Sequence, residues 1–464
     1  MGELFEDRGP LRLQALRLRF TESLFFIPAL MVLASLLLSQ ITVAIDKSIA
    51  DEVLPSYFQT TVESSRAILA AIAGGTITAA SVVFSLTLIA VQLAASQFSP
   101  RVLQGFLGDR FQQIVMGTVV GTFSFSLFVL REVSSAPGDE SAFIPQLSIA
   151  VALLLAITAL MSVLASIDHT AKGLRVGTVA DGIMERTIAV IKDQLVPRQS
   201  EEDAPVLVDA PGRIPAPQLG DDDITIQPPQ SARTLFAPRT GWVTGLQATR
   251  VVEVIPAGST ALISAAIGTY VVEGTPLAHV WPCEENEFNE IVDSLHEIIR
   301  IENERSTQQD IGFGFVQFND MALKALSPGV NDPNTAVEII VRIGAVVTEL
   351  FRHRLGPQRY EADSRTVLRP GEAHLEEYVD LAFESIRRYA RSDHRVLGAL
   401  VQTVHSIIQE LERVGLDHEQ NSARETLWKQ IALAGSESEQ LATVEDRRRL
   451  RAIVEPILAK RPDA

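Results

Sequence analysis

Four long stretches without a charged residue fill the first third of this 464-residue chain, and they constrain what the rest can be. Residues 24–45, 68–93, 111–130 and 144–167 each approach or exceed the roughly 20 apolar residues that carry a helix across a bilayer. The second is the longest, because no charge lies between Arg66 and Arg101. At about 1.5 Å per residue it can tilt, or run past the hydrocarbon on one side. The first stretch reads as a retained span and not as a secretory signal. Glu3, Glu6 and Asp7 precede the arginines, the apolar run is too long, and no small-residue cleavage site follows it.

Composition divides the chain at the same place. Up to Ala180 there are 11 Lys/Arg and 13 Asp/Glu, and beyond it 29 and 44, so the later part carries most of the net charge of −17. The overall mean hydropathy of +0.18 therefore averages an apolar part with a polar, acidic one. An acidic balance argues against nucleic acid as a partner, since that binding rests on clustered cations. The single cysteine, Cys283, excludes an internal disulfide framework and any Cys-rich metal site.

Arg8, Arg12, Arg17 and Arg19 precede the first span, Arg101 and Arg110 lie between spans two and three, and Lys172 and Arg175 follow span four. The loops 46–67 and 131–143 are acid-rich. Excess cations mark the cytoplasmic side, so both termini are expected there, with the polar domain inside the cell.

Residues 173–199 mix apolar and charged positions and are expected to extend span four as an amphipathic helix. Prolines at 205, 211, 215, 217, 228 and 229 then surround Asp221, Asp222 and Asp223, a linker composition. From 232 to 283 short β-branched runs (251–255, 261–266, 270–272) alternate with turn candidates at Gly241, Gly245, Gly258, Gly268 and Gly274. That texture predicts a small β-barrel or sandwich. Its "GTYVVEGTPLAHV" hairpin is similar to barrel-sandwich modules but lacks the central lysine that carries biotin or lipoate. From Glu284 onward the apolar residues keep a helical period. The expected build is a mainly α membrane protein: a transmembrane domain over 1–180, a helix extension and linker over 181–231, a small β domain over 232–283, and a helical cytoplasmic domain over 284–464. Near the end Arg447, Arg448, Arg449 and Arg451 form a short basic run, read either as a solvated helix face or as a contact for anionic lipid.

Span two carries the most informative polar pattern. Thr78, Ser81, Ser85, Gln92, Ser96 and Ser99 step by three, four or seven residues and so share one helical face about 30 Å long. Polar side chains in hydrocarbon seek a neighbouring helix or water. The stripe is therefore either hydrogen-bonded between helices of one chain or the wall of a water-facing pathway. Ala71, Gly75 and Ala79, and likewise Gly117 and Gly121, repeat every four residues and let helices approach closely.

No sequence pattern points to an enzyme or a cofactor: HExxH, P-loop, GxGxxG, GxSxG and the kinase set are all absent. Cys283 lies beside Glu284 and Glu285, the wrong surroundings for an activated thiolate. His169 beside Asp168 reads as the polar end of span four, with a pH switch as the sharper alternative.

The densest soluble motif is "ALSPGVNDPNTA". Ser327, Pro328 and Gly329 break a helix; Asn331 follows, Asp332 sits where an N-cap belongs, Pro333 takes the first helical position, and Thr335 lies in the first turn. Upstream, Asp310, Gln317, Asp320 and Lys324 form a polar stripe opposite Ile311, Phe315, Phe318, Ala322 and Leu326. Asp310, Asp320, Asn331 and Asp332 could bind a divalent cation through oxygen, but a cap and the Asp320–Lys324 spacing explain the same residues more simply.

"ESLFFIPALMVL", "FSLTLIAVQLAASQFSPR", "STQQDIGFGFVQFNDMALKALSPGVNDPNTA" and "ESIRRYARSD", spread from residue 22 to about 395, together resemble one bacterial family of predicted inner-membrane proteins, domain of unknown function 2254. This chain has Arg305-Ser306 where the family usually reads Arg-Thr, and Asn334 where an aromatic is frequent. The resemblance implies a bacterial inner-membrane location and the same overall build, and it brings no catalytic residues to carry over.

The expected function is a homo-oligomeric channel- or transporter-like protein in the lipid bilayer, with span two lining the pathway for an ion or small solute. Four spans enclose little space, so a pathway needs symmetric copies. The order of pore helix and cytoplasmic β domain is similar to small-conductance mechanosensitive channels, an analogy of layout alone. The alternative is a non-conducting scaffold whose cytoplasmic domain docks a partner.

Overall fold

The computed structural model describes residues 26–48, 61–102, 109–133, 143–198, 227–355, 358–369, 373–414 and 418–461, in two compact units, Met1–Thr178 and Val179–Ala464. The proline-rich segment 199–226 lies outside the described residues, as do the tips of the acidic loops.

Among the described residues the first unit is built on four long helices: α1 (Phe26–Ser48), α2 (Val62–Gln97), α3 (Arg110–Glu132) and α4 (Gln146–Gly173). Each is long and apolar enough to cross a membrane, with mean hydropathy between 1.8 and 2.6. Half of α3 is buried, against 22% of each of the others, so α3 is the axis on which they pack. Small residues make this possible. A Cβ on Gly117 would stand 2.5 Å from Met31 Sδ, and one on Gly121 3.5 Å from the Met31 carbonyl, so α1 lies against the α3 backbone. From α2, Leu69, Ala73, Thr76, Ala80, Val83, Ala90 and Ala94 are buried at steps of three, four or seven. Leu69 meets Phe125 in one cluster, and Ala80 meets Val119 and Ala159 in another. The remaining surface is apolar, with Leu33, Leu37, Leu154, Ile157 and Leu160 each more than half exposed. A surface like that suits hydrocarbon and not water.

The amphipathic extension is a separate helix. Gly173 ends α4, the Leu174 and Arg175 amides bond back to the Thr170 and Lys172 carbonyls, and α5 (Val176–Gln194) starts afresh. Glycine at a helix end, with amides turning back on the last carbonyls, is an ordinary stop.

Among the described residues the second unit mixes helices with three small sheets. Its strands are β1 (Val196–Pro197), β2 (Arg233–Phe236), β3 (Gly241–Leu246), β4 (Thr260–Ile263), β5 (Tyr270–Val271), β6 (Pro276–Trp281), β7 (Ile299–Glu302), β8 (His353–Arg354), β9 (Gln358–Ala362) and β10 (Arg365–Arg369). They pair as β1-β8, as β5-β3-β7 and as an open sheet β2-β6-β4-β10-β9 in which β4 and β10 run parallel. The expected barrel is therefore corrected. The edge of β4 is taken by β10, about a hundred residues later, so the sheet never curls round to close within 232–283. The expected hairpin is corrected too. β5 and β6 flank a turn at Gly274 (φ 84°), but β5 pairs with β3 while β6 pairs with β2 and β4.

The run at 251–255 is not a strand. It belongs to helix α6 (Ala248–Val254), with Ala248, Val251, Val252 and Ile255 buried. Those positions are i, i+3, i+4 and i+7, so helical periodicity outweighed β-branching. Gly241 and Gly245, expected as turns, lie inside β3. A Cβ on Gly241 would stand 2.6 Å from the Glu302 carbonyl oxygen, so glycine lets β7 come close.

The remaining helices are α7 (Glu285–Ile298), α8 (Ile311–Ala325), α9 (Pro333–Phe351), α10 (Leu375–Tyr389), α11 (His394–Val414), α12 (His418–Ser436) and α13 (Val444–Leu458). They bury Phe315, Phe318, Ile343, Phe351, Phe383, Leu400 and Trp428 to 1% exposure or less.

Candidate functional site

The polar stripe of α2 faces away from the rest of its unit. Thr78, Ser81, Ser85, Gln92 and Ser96 are exposed, while the buried seam from Leu69 to Ala94 runs along the opposite side of the helix. Hydrogen bonding to neighbouring helices does not account for the stripe. Its hydroxyls instead donate to carbonyls of α2 itself: Thr78 to Gly74 at 2.9 Å, Ser81 to Ile77 at 3.1 Å, Ser85 to Ser81 at 2.8 Å and Ser96 to Leu93 at 2.9 Å. Gln92 has an amide that its own helix backbone cannot saturate, and it makes no hydrogen bond among the described residues. Ser99 lies beyond the helix and accepts from the Arg101 amide at 3.2 Å.

The same outward side is small in its first half. Ala71, Gly74 and Gly75 are exposed, Ala79 is half-buried, and a Cβ on Gly74 or Gly75 would meet nothing within 4 Å. The two small-residue series thus part company. Gly117 and Gly121 are consumed by α1, whereas Ala71 and Gly75 present a bare backbone outward.

Both ends of the helical unit are tied by polar contacts. At one end Asp46 of α1 accepts from the Leu147 and Ser148 amides at 2.9 and 3.0 Å and from the Ser148 hydroxyl at 2.7 Å, capping α4 from outside. Lys47 pairs with Glu132 at 2.9 Å, and Arg66 donates to the Val133 carbonyl. At the other end Asp109 caps α3 through the Phe111 amide at 2.9 Å. It also meets His169 at 2.7 Å, so the partner of that histidine is Asp109; Asp168 pairs with Lys172 instead. Gln112 joins Thr170 and Ser166 beside them, at 2.6 and 3.0 Å.

In the second unit the signature motif is a helix junction. The Asn331 amide bonds the Ser327 carbonyl and the Asp332 amide the Ala325 carbonyl. Asn331 stands at φ 49°, a conformation asparagine tolerates better than most side chains. Asp332 then caps α9, accepting from the Asn334 and Thr335 amides at 3.1 and 3.2 Å and from the Thr335 hydroxyl at 2.7 Å. The Thr335 hydroxyl holds the Asp332 carboxyl below the ordinary value; burial opposes it, and the Thr335 and Asn334 amides add to the lowering. Gly329 is open and Val330 is half exposed at the tip.

Asp310 has a different duty. It caps α8 through the Phe313 amide and takes a two-pronged contact from Arg305, at 2.8 and 2.9 Å. The Arg305 guanidinium lies 5.3 Å from both the Trp242 and the Phe313 rings. Gln309 accepts the Leu246 amide at 2.8 Å, so the residues before α8 clamp β3 to the helices. Gly268, at φ 80°, leaves room for this, since a Cβ there would stand 2.6 Å from Asp310 Oδ2. Gln317 of the expected polar stripe is buried to 2%, and Asp320 is half-buried. Among the described residues no three His, Cys, Asp or Glu side chains gather as a metal set. Burial, with Glu287 and Glu284, pushes the Cys283 thiol up, while Arg233 opposes them. Arg305 and Asp46 escaped the sequence reading. The "QQD" string was a signal for the first, and nothing local marked the second.

Over residues 21–406 the chain matches the family described as "Predicted membrane protein (DUF2254)", and it belongs to that family. It is 30% identical over 363 residues to the uncharacterized protein Rv1290c of Mycobacterium tuberculosis and, to the same extent, to the uncharacterized protein Mb1321c of Mycobacterium bovis. Each match covers 76% of this chain and 65% of the relative. No solved structure matches.

Proposed function

We propose that this membrane protein assembles as a symmetric homo-oligomer of channel or transporter type, with the outward face of α2 lining a pathway at the axis. One observation carries the reading: the small and polar face of the longest span is exposed on the chain, directly opposite the seam that packs against α3 and α4. A face of alanine, glycine, serine and threonine gains little from lipid tails. It lets another helix approach closely or holds water. Gln92, with an unsatisfied amide, makes lipid an especially poor neighbour for that face.

The scaffold reading has one observation of its own. Hydroxyls bonded back to their own helix can face lipid at small cost, so the serines and threonines alone do not demand a water-filled path. Imaging of the detergent-solubilised particle separates the two. Rotational symmetry with α2 at the axis supports a pathway, and a monomer with α2 facing the detergent supports a scaffold.

A further inference from the structure

We propose that the arginine face of α13 binds the anionic headgroups of the membrane that carries this chain. Val444, Arg447, Arg448, Arg451, Ala452 and Glu455 line a shallow groove of about 430 Å³. They stand at i, i+3, i+4, i+7, i+8 and i+11 along α13, so they share one side of it. An adjoining side of the helix is anchored in the core by Leu450 and Val454.

These arginines are only weakly neutralised within the chain, Arg448 by a single long contact. Elsewhere the acidic domain pairs many of its cations, as in Arg342 with Asp181, Arg388 with Glu384 and Arg395 with Asp393. On α13 the nearby acids are already taken. Glu445 holds Arg449 at 3.1 Å and reaches Arg448 only at 4.0 Å, while Asp446 faces His394 at 3.0 Å. Among the described residues Arg447 and Arg451 form no ion pair; Arg447 donates to the Thr443 carbonyl at 3.4 Å. Glu455 closes the far end of the groove.

Three guanidinium groups on one helix face suit phosphate, which each can meet with two parallel N–H bonds. The occupant follows from charge and tethering. A chain with a net charge of −17 repels a free polyanion at long range, whereas spans in the same chain hold lipid phosphates at high local concentration. Val444, 75% exposed among the arginines, adds an apolar side chain of the kind that settles at the boundary of headgroup and acyl chain. The proposal is independent of whether α2 lines a pathway.

The test uses the full chain with Cys283→Ser and a fluorophore on Ala452→Cys. It is reconstituted in phosphatidylcholine vesicles with or without phosphatidylglycerol, with a trace of headgroup-labelled acceptor lipid. Energy transfer should be higher with phosphatidylglycerol and fall to the phosphatidylcholine level at high salt. The triple change Arg447→Gln, Arg448→Gln, Arg451→Gln should abolish the excess, while the matching triple change to lysine, which keeps the charge, should retain most of it. Equal transfer in both lipids overturns the proposal, as does an excess that survives the glutamine triple or is lost in the lysine triple. A fluorophore that responds to inorganic phosphate in both lipids alike overturns it too, and makes the groove a site for a free anion.

Discussion

Asp46 caps a helix that begins a hundred residues later: its carboxylate takes the Ser148 hydroxyl at 2.7 Å and the two amides at the start of the fourth span. That span begins after Pro145, which offers no side-chain cap of its own. The donors that every helix start leaves unpaired are therefore satisfied by the first span. Replacing Asp46 with alanine should cost about 1 kcal/mol, the usual loss of a capping side chain, and asparagine should recover much of it. Melting of the purified protein in detergent measures this. An unchanged midpoint for the alanine variant would show that water replaces the cap.

The Asp332 cap makes a second case, with a pH dependence. Asp332→Ala should cost about 1 kcal/mol, and Asp332→Ser should restore most of it. Because the folded protein holds this carboxyl below its unfolded value, its contribution is full above about pH 4, where the unfolded group ionises. It fades as pH falls through the lower folded value. The stability gap between wild type and Asp332→Asn should hold steady from pH 8 to pH 6 and shrink in acid. A midpoint that rises with millimolar calcium or magnesium in wild type alone would instead assign the aspartate to a cation.

The glycines of the spans should respond in opposite ways. Gly117→Ala forces Met31 aside and should cost about 1–3 kcal/mol, with Met31→Ala in the same chain relieving most of it. Gly74→Leu meets open space within the chain and should leave the melting of the protomer unchanged while breaking the proposed oligomer. Sedimentation in detergent reads the second effect. An oligomer that tolerates leucine at 74 would move the contact off this face.

Orientation rests on the arginines around the spans. In a Cys283→Ser background, Ser64→Cys should react with a membrane-impermeant thiol reagent in intact cells, and Asn303→Cys only after lysis. The reverse labelling would place the acidic domain outside.

The spans could be read from sequence because the absence of charge over 20 residues is a local property. So could the Asp332 cap, whose donors lie two and three residues away. What could not be read shares one cause, a partner distant in the chain. Asp46 meets Ser148, His169 meets Asp109 in place of its neighbour Asp168, and β4 pairs with β10. The misreading of Val251–Ile255 is of another kind. Its helical spacing was present in the sequence, and the β-branched composition obscured it. For α2 the stripe was visible, but which way it faces depends on the seam through Leu69, Ala80 and Val83, and that needs the neighbouring helices.

The central claim is that the outward face of α2 meets water between copies, and Ser85 tests it most directly. Val82 and Ile89 are themselves more than half exposed beside the stripe, so Val83 and Ala90, buried to 2% and 7%, are the sound controls. In reconstituted vesicles, Ser85→Cys should be modified by a small hydrophilic thiol reagent, with a change in ion flux under voltage or tension, while Val83→Cys and Ala90→Cys stay protected. Protection of Ser85→Cys, with no flux for any common ion, would contradict the account and leave the stripe facing lipid or another buried helix.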